Sequence, residues 1–210
     1  MARKSSPKRL QPELSSKERL VDAYISLAYE VGVAHITLQK IADKAGIGFS
    51  TVRYYFTQDS FDIHGEAFKR VMLRSLESVE RAVWTDKRSL VNPVHAYVDS
   101  IFDWINEDRI NSTYLIYAYY SASSALKTSV DLSEVNENAR RKIQSALLES
   151  IGLEIYKPVK DAQACASSIH ACVVGHGFVA MTASSRDAFK TFKVQCLSTV
   201  HALIVNSAKS

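Results

Sequence analysis

The segment from Thr37 to Phe56 carries long polar and aromatic side chains whose chemistry suits a nucleic acid. The guanidinium of Arg53 can donate two parallel hydrogen bonds to O6 and N7 of a guanine base. The hydroxyl of Tyr54 can donate to a phosphate oxygen, and its ring offers an apolar face. No acidic residue lies between Phe49 and Phe56, so a polyanion would meet no like charge there. These residue types predict a DNA contact if the chain holds them on one exposed face.

Two short helices joined by a tight turn are the elements that could position these side chains. Thr37 is a good N-cap for the first helix, and Gly46 permits the left-handed conformation that ends it. Ala42 is small enough for the two helices to cross closely. Val52 and Phe56 recur at helical spacing and are expected to anchor the second helix from behind. The exposed face is then predicted to carry Phe49, Ser50, Arg53 and Tyr54, with Thr51 at its edge.

The positive charge of the chain is concentrated ahead of this segment. The formal net charge is +4, from 26 basic and 22 acidic residues. Residues 1–19 hold six of the basic and two of the acidic residues, which leaves 20 of each in the remainder. A basic arm would bind phosphates and release their condensed counterions, whereas a solvated tail that only aids solubility is the alternative. A flexible arm is predicted over residues 1–14, with cations at Arg3, Lys4, Lys8 and Arg9.

Residues 16–68 resemble the N-terminal domain of the TetR family of transcriptional regulators. An apolar helix that ends in a glycine, the run TLQKIADKAGI and the ending TVRYYF occur in the order and at the spacing typical of that family. The resemblance implies a homodimer with an N-terminal DNA-binding domain and a larger helical C-terminal domain, which binds a small ligand and holds the dimer together. It also implies that the residues facing the DNA groove or backbone are Thr37, Gln39, Thr51, Arg53, Tyr54 and Tyr55.

The function that the resemblance implies is ligand-responsive, sequence-specific transcription regulation. Repression is the commoner habit of the family, and a two-fold dimer predicts a palindromic operator. Three positions depart from the family pattern. Gly48 replaces the usual capping Ser or Thr, Arg53 replaces a common aromatic residue, and Asp59 lies near the place of a frequent lysine. Gly48 and Asp59 leave open a second function, a helical small-molecule-binding or interaction protein without functional DNA binding.

The composition of the whole chain favours long helices. Seven Gly and four Pro make about 5% of the residues, where the average is about 12%. Barrels, sandwiches and disulfide scaffolds need more turn residues than this. The prediction is an all-α protein, with a helix-turn-helix domain over residues 15–60 and a helical effector-binding and dimerisation domain over residues 61–210. Helices are predicted at 16–31, 38–45, up to Phe56, 61–83, 93–104, 112–126, 131–152, about 159–182 and 187–206.

A dense group of aromatic residues marks the middle of the second predicted domain. Four tyrosines fall within the seven residues from Tyr114 to Tyr120, and buried tyrosine hydroxyls need hydrogen-bond partners. A cavity for a small ligand is one place where they find them, and ordinary core packing is the alternative. The residues predicted to border such a cavity are Tyr97, Ile101, Trp104, Tyr117, Tyr120, His176 and Phe178.

The last two helices contain the surface predicted to join two copies of the chain. Residues 162–185 contain no Asp, Glu, Lys or Arg, a stretch long enough to cross a bilayer. The same stretch holds eight polar residues, so it is predicted instead to be a helix covered by protein on nearly all sides. A monomer would leave much of its apolar area exposed. We therefore expect a homodimer through the last two helices, without a membrane as partner.

The remaining predictions rest on the cysteines, the histidines and the N-terminus. The three cysteines form no CxxC pair, and the basic N-terminus leads into no apolar signal segment, so a cytoplasmic location is predicted. Cys172 and His176 share a helix face and could bind zinc with a neighbouring residue. Burial of Cys172 as a small apolar side chain is favoured, and no metal or cofactor is predicted. No nucleophile, P-loop or HExxH pattern appears, so an enzyme is not expected.

Overall fold

A computed structural model describes residues 14–58, 61–85, 92–123 and 132–209, and within these segments the regular structure is helical, without a strand. The all-α fold class predicted from the composition is confirmed. A single 3₁₀ turn at Val33–His35 follows the first helix. The α-helices are α1 Ser16–Val31, α2 Leu38–Ala45, α3 Phe49–Phe56, α4 Ile63–Thr85, α5 Pro93–Glu107, α6 Arg109–Ser123, α7 Leu132–Gly152, α8 Ala162–Met181 and α9 Arg186–Lys209.

The chain divides into two compact units, Met1–Ile63 and His64–Ser210. The first unit contains α1, α2 and α3. The second contains α5 to α9 and nearly all of α4, which begins at the last residue of the first unit.

The first unit is built around α1, which begins where the sequence predicts. The Ser15 hydroxyl accepts from the Glu18 backbone N–H at 3.3 Å, and the Glu18 carboxylate accepts from the Ser15 backbone N–H at 2.9 Å. A cap of this kind contributes about 1 kcal/mol to helix stability. The core of the unit consists of Leu20, Val21, Tyr24, Ile25 and Leu27 of α1 with Ile41, Ala42 and Val52 of α2 and α3.

The second unit packs α8 against α7 and α9, with α5 lying against all three. The Asn92 side chain caps α5 by accepting from the His95 backbone N–H at 3.1 Å, and Pro93 fills the first helical position, as predicted. Proline fits there because that N–H has no partner within a helix. The core residues that are almost completely buried include Phe102, Leu147, Ile169, Val200 and Ile204.

Two helix starts differ from the predictions because aspartates act as caps. α6 begins at Arg109 rather than Ser112, since the Asp108 carboxylate accepts from the Asn111 backbone N–H at 3.1 Å. α8 begins at Ala162, since the Asp161 carboxylate accepts from the Ala164 backbone N–H at 2.9 Å. α4 begins two residues after the predicted position. The predicted helix start at residue 131 lies outside the described residues.

The prediction that α8 is covered by protein on nearly all sides is wrong for a single chain. By length and composition α8 could cross a membrane, but only a third of its apolar window is buried in the chain. The buried residues face α7, α5 and α9 and include Cys165, Ile169 and Val173. The exposed face consists of small and apolar residues, namely Ala164, Ser168, Ala171, Gly175 and Val179.

Candidate nucleic-acid interface and internal cavity

The turn between α2 and α3 is held by a glycine and an arginine. Gly46 lies in the left-handed region at φ +60°, and the Ile47 backbone N–H donates to the Ala42 carbonyl at 3.1 Å. Arg19 of α1 donates through Nη2 to the Ala45 and Gly46 carbonyls, at 2.6 and 2.8 Å. A cation at a helix C-terminus also offsets the negative end of the helix dipole. Arg19 belongs to the N-terminal excess of charge, but it caps α2 and is not available to a phosphate.

α3 presents the side chains that the sequence predicts on its outer face. Val52 is completely buried, whereas Phe49 and Tyr54 are 44% and 63% exposed. Ser50 and Arg53 are also exposed, and Thr51 is half-buried. The predicted pattern of exposure is therefore confirmed, and the role of these residues in DNA binding stays a proposal. Gly48 gives α3 no side-chain cap, as expected from a glycine.

Tyr55 takes part in an aromatic group behind the exposed face. Its half-buried ring lies 5.6 Å from the Phe61 ring and 5.8 Å from the Tyr54 ring, centroid to centroid. The Phe56 ring contacts Phe61 edge-on at 5.6 Å. Edge-on aromatic pairs add about 0.5–1.5 kcal/mol beyond their burial. This packing fixes the orientation of α3. Tyr55 therefore supports the exposed face from behind, and it also lies at the edge of that face.

The start of α2 places two more predicted contacts near the surface. The Thr37 hydroxyl accepts from the Lys40 backbone N–H at 3.2 Å and caps the helix, and the hydroxyl proton remains able to donate. The Gln39 side-chain amide donates to the Asp43 carboxylate at 2.8 Å, so a DNA base would have to compete with that bond. The predicted arm cations Arg3, Lys4, Lys8 and Arg9, and the departure at Asp59, lie outside the described residues.

The second unit contains a cavity of about 220 Å³ between α4, α5, α6, α7 and α8. Its walls are almost entirely apolar. Of the seven residues predicted to border a cavity, four line this one: Tyr97, Ile101, Trp104 and Phe178. Other residues that line it include Met72, Leu76, Val79, Ile105, Leu115, Tyr119, Val135, His170, Val173, Val174, Gly177 and Met181.

The other three predicted residues do not line this cavity. Tyr117 turns toward the His64 ring, at 6.2 Å between centroids. Tyr120 is 67% exposed. His176 lies against the Cys172 carbonyl on another face of α8, with Nδ1 2.9 Å from the oxygen. On α6 the inward residues are instead Ser112, Leu115 and Tyr119, whose spacing of three and four residues is the signal that identifies them.

The polar groups of the cavity are few, and its one charged lining residue, Lys142, is paired with Glu80 at 2.9 Å. The Tyr119 hydroxyl donates to the Asn136 side-chain oxygen at 2.7 Å, and burial raises the pKa of both Tyr97 and Tyr119. Burial, with a smaller effect of the Arg140 charge, lowers the pKa of His170 and favours its neutral form. The Trp104 indole Nε1 is buried and has no hydrogen-bond partner among the described residues. Trp104 therefore brings one unused donor to the lining of an apolar cavity.

Several solved structures similar to the chain are transcription regulators. No protein-family model matches the chain, and no curated protein matches it by sequence. A TetR transcription regulator from Haloarcula marismortui ATCC 43049 has a TM-score of 0.73 at 19% identity, over 89% of this chain and 97% of its own. SmeT, the repressor of the multidrug efflux pump SmeDEF of Stenotrophomonas maltophilia, has a TM-score of 0.64 at 24% identity, over 90% and 89%.

SmeT in complex with triclosan has a TM-score of 0.61 at 22% identity, over 91% of this chain and 90% of its own. Identities below 25% establish likeness of fold. The chain has the all-α fold of the TetR transcription regulators.

Proposed function

We propose that the chain is a ligand-responsive, sequence-specific DNA-binding regulator of the TetR type, and most simply a repressor. The observation that carries the proposal is the outer face of α3, where Phe49, Arg53 and Tyr54 stand out from a helix anchored by Val52. The Arg53 side chain has no hydrogen bond or ion pair within the described residues, so its guanidinium can bind a base edge. The named functions of the structural neighbours support the same proposal. It requires no catalysis and suits a cytoplasmic protein.

A homodimer is the form in which this function would operate. The exposed small and apolar residues of α8 lie next to α9, on which Val194 is 65% exposed. Pairing these faces between two copies would bury them and relate the two copies of α3 by a two-fold axis. The operator would then be palindromic, with half-sites about one helical turn, or a multiple of it, apart.

Selection of bound sequences from a random duplex library tests DNA binding directly. We expect a palindrome to emerge from the unmodified chain. Arg53→Ala should relax the preference at one position per half-site and weaken cognate binding by about 1–3 kcal/mol, or roughly 5- to 150-fold. Arg141→Ala, which removes an exposed cation of α7, is the matched control and should have no effect on base preference.

Two outcomes of the selection would contradict this assignment. An equal loss on all sequences would make Arg53 a phosphate contact. A chain that selects no sequence would favour the alternative, a helical small-molecule-binding or interaction protein. The structural observation in favour of that alternative is the missing side-chain cap at Gly48.

The cavity supports a ligand that is small, neutral and largely apolar. Its volume of about 220 Å³ lies below the 300–1,000 Å³ typical of drug-sized sites, so one or two rings would fill it. A hydrogen-bond acceptor on the ligand would satisfy the Trp104 Nε1 donor, which costs free energy while it is buried without a partner. The solved complex of SmeT with triclosan supports a ligand-binding function for this fold.

Ligand screening by release of operator DNA, followed by tryptophan fluorescence, tests this site. Trp84→Phe leaves Trp104 as the single tryptophan, and its emission should change on binding. Trp104→Phe keeps an aromatic side chain but replaces the indole with a smaller phenyl ring that has no donor, so affinity for ligands with an acceptor should fall by about 0.5–1.5 kcal/mol, or about 2- to 12-fold. Tyr120→Phe, outside the cavity, is the control. A ligand that releases DNA without perturbing Trp104 would contradict this location.

Release would follow from unequal ligand affinity for two shapes of the dimer. In one of these shapes the two copies of α3 do not match adjacent major grooves. A ligand that binds this shape more tightly lowers DNA affinity, and DNA lowers ligand affinity by the same factor. A ligand with equal affinity for both shapes would not release DNA.

A further inference from the structure

α8 and α9 bring together three metal-binding side chains that DNA and ligand binding do not use. They are Cys172 and His176 of α8 and Cys196 of α9, whose ligand atoms all lie within 4.8 Å of one another. All three cysteines of the chain are free thiols. Cys196 is completely buried, whereas Cys172 and His176 are half-buried, so the group is reachable from one side.

The spacing of these atoms fits tetrahedral coordination. Zinc binds Cys Sγ at about 2.3 Å and His nitrogen at about 2.0–2.1 Å, so a tetrahedral angle separates a sulfur from a nitrogen by about 3.5–3.6 Å. The distance from Cys172 Sγ to His176 Nδ1 is 3.5 Å. Two sulfurs in the same geometry would lie about 3.8 Å apart. The ligand atoms of the cluster lie within 4.8 Å of one another, so small side-chain rotations would bring the two sulfurs to that distance.

An ion that binds the cluster would displace protons from the two thiols and break one hydrogen bond of His176. Burial, reinforced by the neighbouring thiol, raises the pKa of Cys196, and burial also raises the pKa of Cys172. A cation binds the thiolate form of cysteine, so coordination by both thiols would release two protons. His176 Nδ1 lies 2.9 Å from the Cys172 carbonyl oxygen. Coordination through Nδ1 would place the ring proton on Nε2 and give up that bond.

We propose that Cys172, His176 and Cys196 bind one thiophilic ion of the Zn²⁺ class in each chain. Two thiolates and one imidazole are the donor set that such ions prefer over oxygen ligands. Three protein ligands leave a fourth position, which water or a small thiol can fill. The ion links α8 to α9 within one chain and stabilises the contact between them.

Titration of the reduced, untagged full-length chain with Zn²⁺ and Co²⁺ tests the site. We expect one ion per chain, release of two protons, and the charge-transfer and visible absorption of Co²⁺ bound tetrahedrally by thiolates. Cys172→Ala and Cys196→Ala should each weaken Zn²⁺ binding at least ten-fold. Cys165→Ala is the matched control, because Cys165 is a buried thiol of the same helix α8 outside the cluster, and it should bind Zn²⁺ like the unmodified chain.

The unmodified chain and a milder variant keep the proposal testable if a cysteine variant fails to fold. His176→Gln changes a half-buried residue and should reduce affinity while circular dichroism stays unchanged. An octahedral Co²⁺ spectrum, or equal loss of affinity in Cys165→Ala, would overturn the proposal, since the ion would then bind elsewhere. One ion per two chains would place it between copies and would also overturn it. Absence of Zn²⁺ binding would leave the thiols as core packing.

Discussion

Gly46 is the residue at which one substitution should disturb the whole helix pair. It ends α2 at φ +60° and ψ +40°, where an L side chain costs about 1–2 kcal/mol. A Cβ at this position would lie 3.0 Å from Arg19 Nη2, the nitrogen that donates to the Ala45 and Gly46 carbonyls. Hydrogen bonds from charged groups contribute about 1.5–3 kcal/mol, of which a flexible, partly exposed arginine would lose only a part. We expect Gly46→Ala to lower the free energy of unfolding of the first unit by about 2–3 kcal/mol.

A double-mutant cycle separates backbone strain from the contact with Arg19. In an Arg19→Ala background, Gly46→Ala should cost only the strain, about 1–2 kcal/mol. Hydrogen exchange of the amides in residues 16–56 reports the local stability, since both tryptophans lie in the second unit. Gly152→Ala is the control, because a Cβ there meets nothing within 4 Å and the backbone of Gly152 lies outside the left-handed region. An equal loss in both backgrounds would refute the contact, and no loss in either would refute the reasoning from conformation.

Three further predictions concern the arm, the histidines and the dimer surface. Deletion of residues 1–12 removes four cations and should lower the salt slope of operator binding by up to about four units, whereas an unchanged slope would make the arm a solubility tail. Burial lowers the pKa of His95 and His170, so below about pH 6.5 the unfolded chain binds more protons than the folded chain. The free energy of unfolding should therefore fall as the pH drops through that range. The urea midpoint of a variant with both histidines replaced by Gln should vary less with pH. Val194→Glu should yield monomers in sedimentation, unlike Leu73→Glu at a similarly exposed position of α4.

The elements of the first unit were predictable because their signals are local. Ser15, Thr37, Gly32 and Gly46 fix the ends of α1 and α2 through contacts within a few residues. The burial of Val52 follows from helical spacing alone. The role of Arg19 did not follow, because its carbonyl partners lie 26 and 27 residues away and only the fold brings them together.

The cavity and the thiol cluster show where sequence reasoning stops. α6 carries aromatic residues on several faces, so periodicity alone did not select Tyr119 over Tyr117 and Tyr120. Cys172 and His176 suggested a metal site by their spacing, but the third donor, Cys196, lies on another helix. A pair of ligands is common by chance, and a third becomes visible only when α9 is placed beside α8.

The cavity, the proposed metal site and the proposed dimer surface lie on three faces of α8. This arrangement accounts for the apolar composition of α8 and gives the three sites a way to affect each other. At about 100° per residue, the face with Cys172 and His176 lies roughly 150° from the cavity face with Val174 and Gly177. The small exposed face lies roughly 130° from the cavity on the other side. In the proposed dimer all three faces of α8 would meet protein, and its apolar composition would then require no bilayer. Because one helix carries all three faces, a ligand that shifts α8 should also change the strength of dimerisation, and dimerisation should change ligand affinity by the same factor.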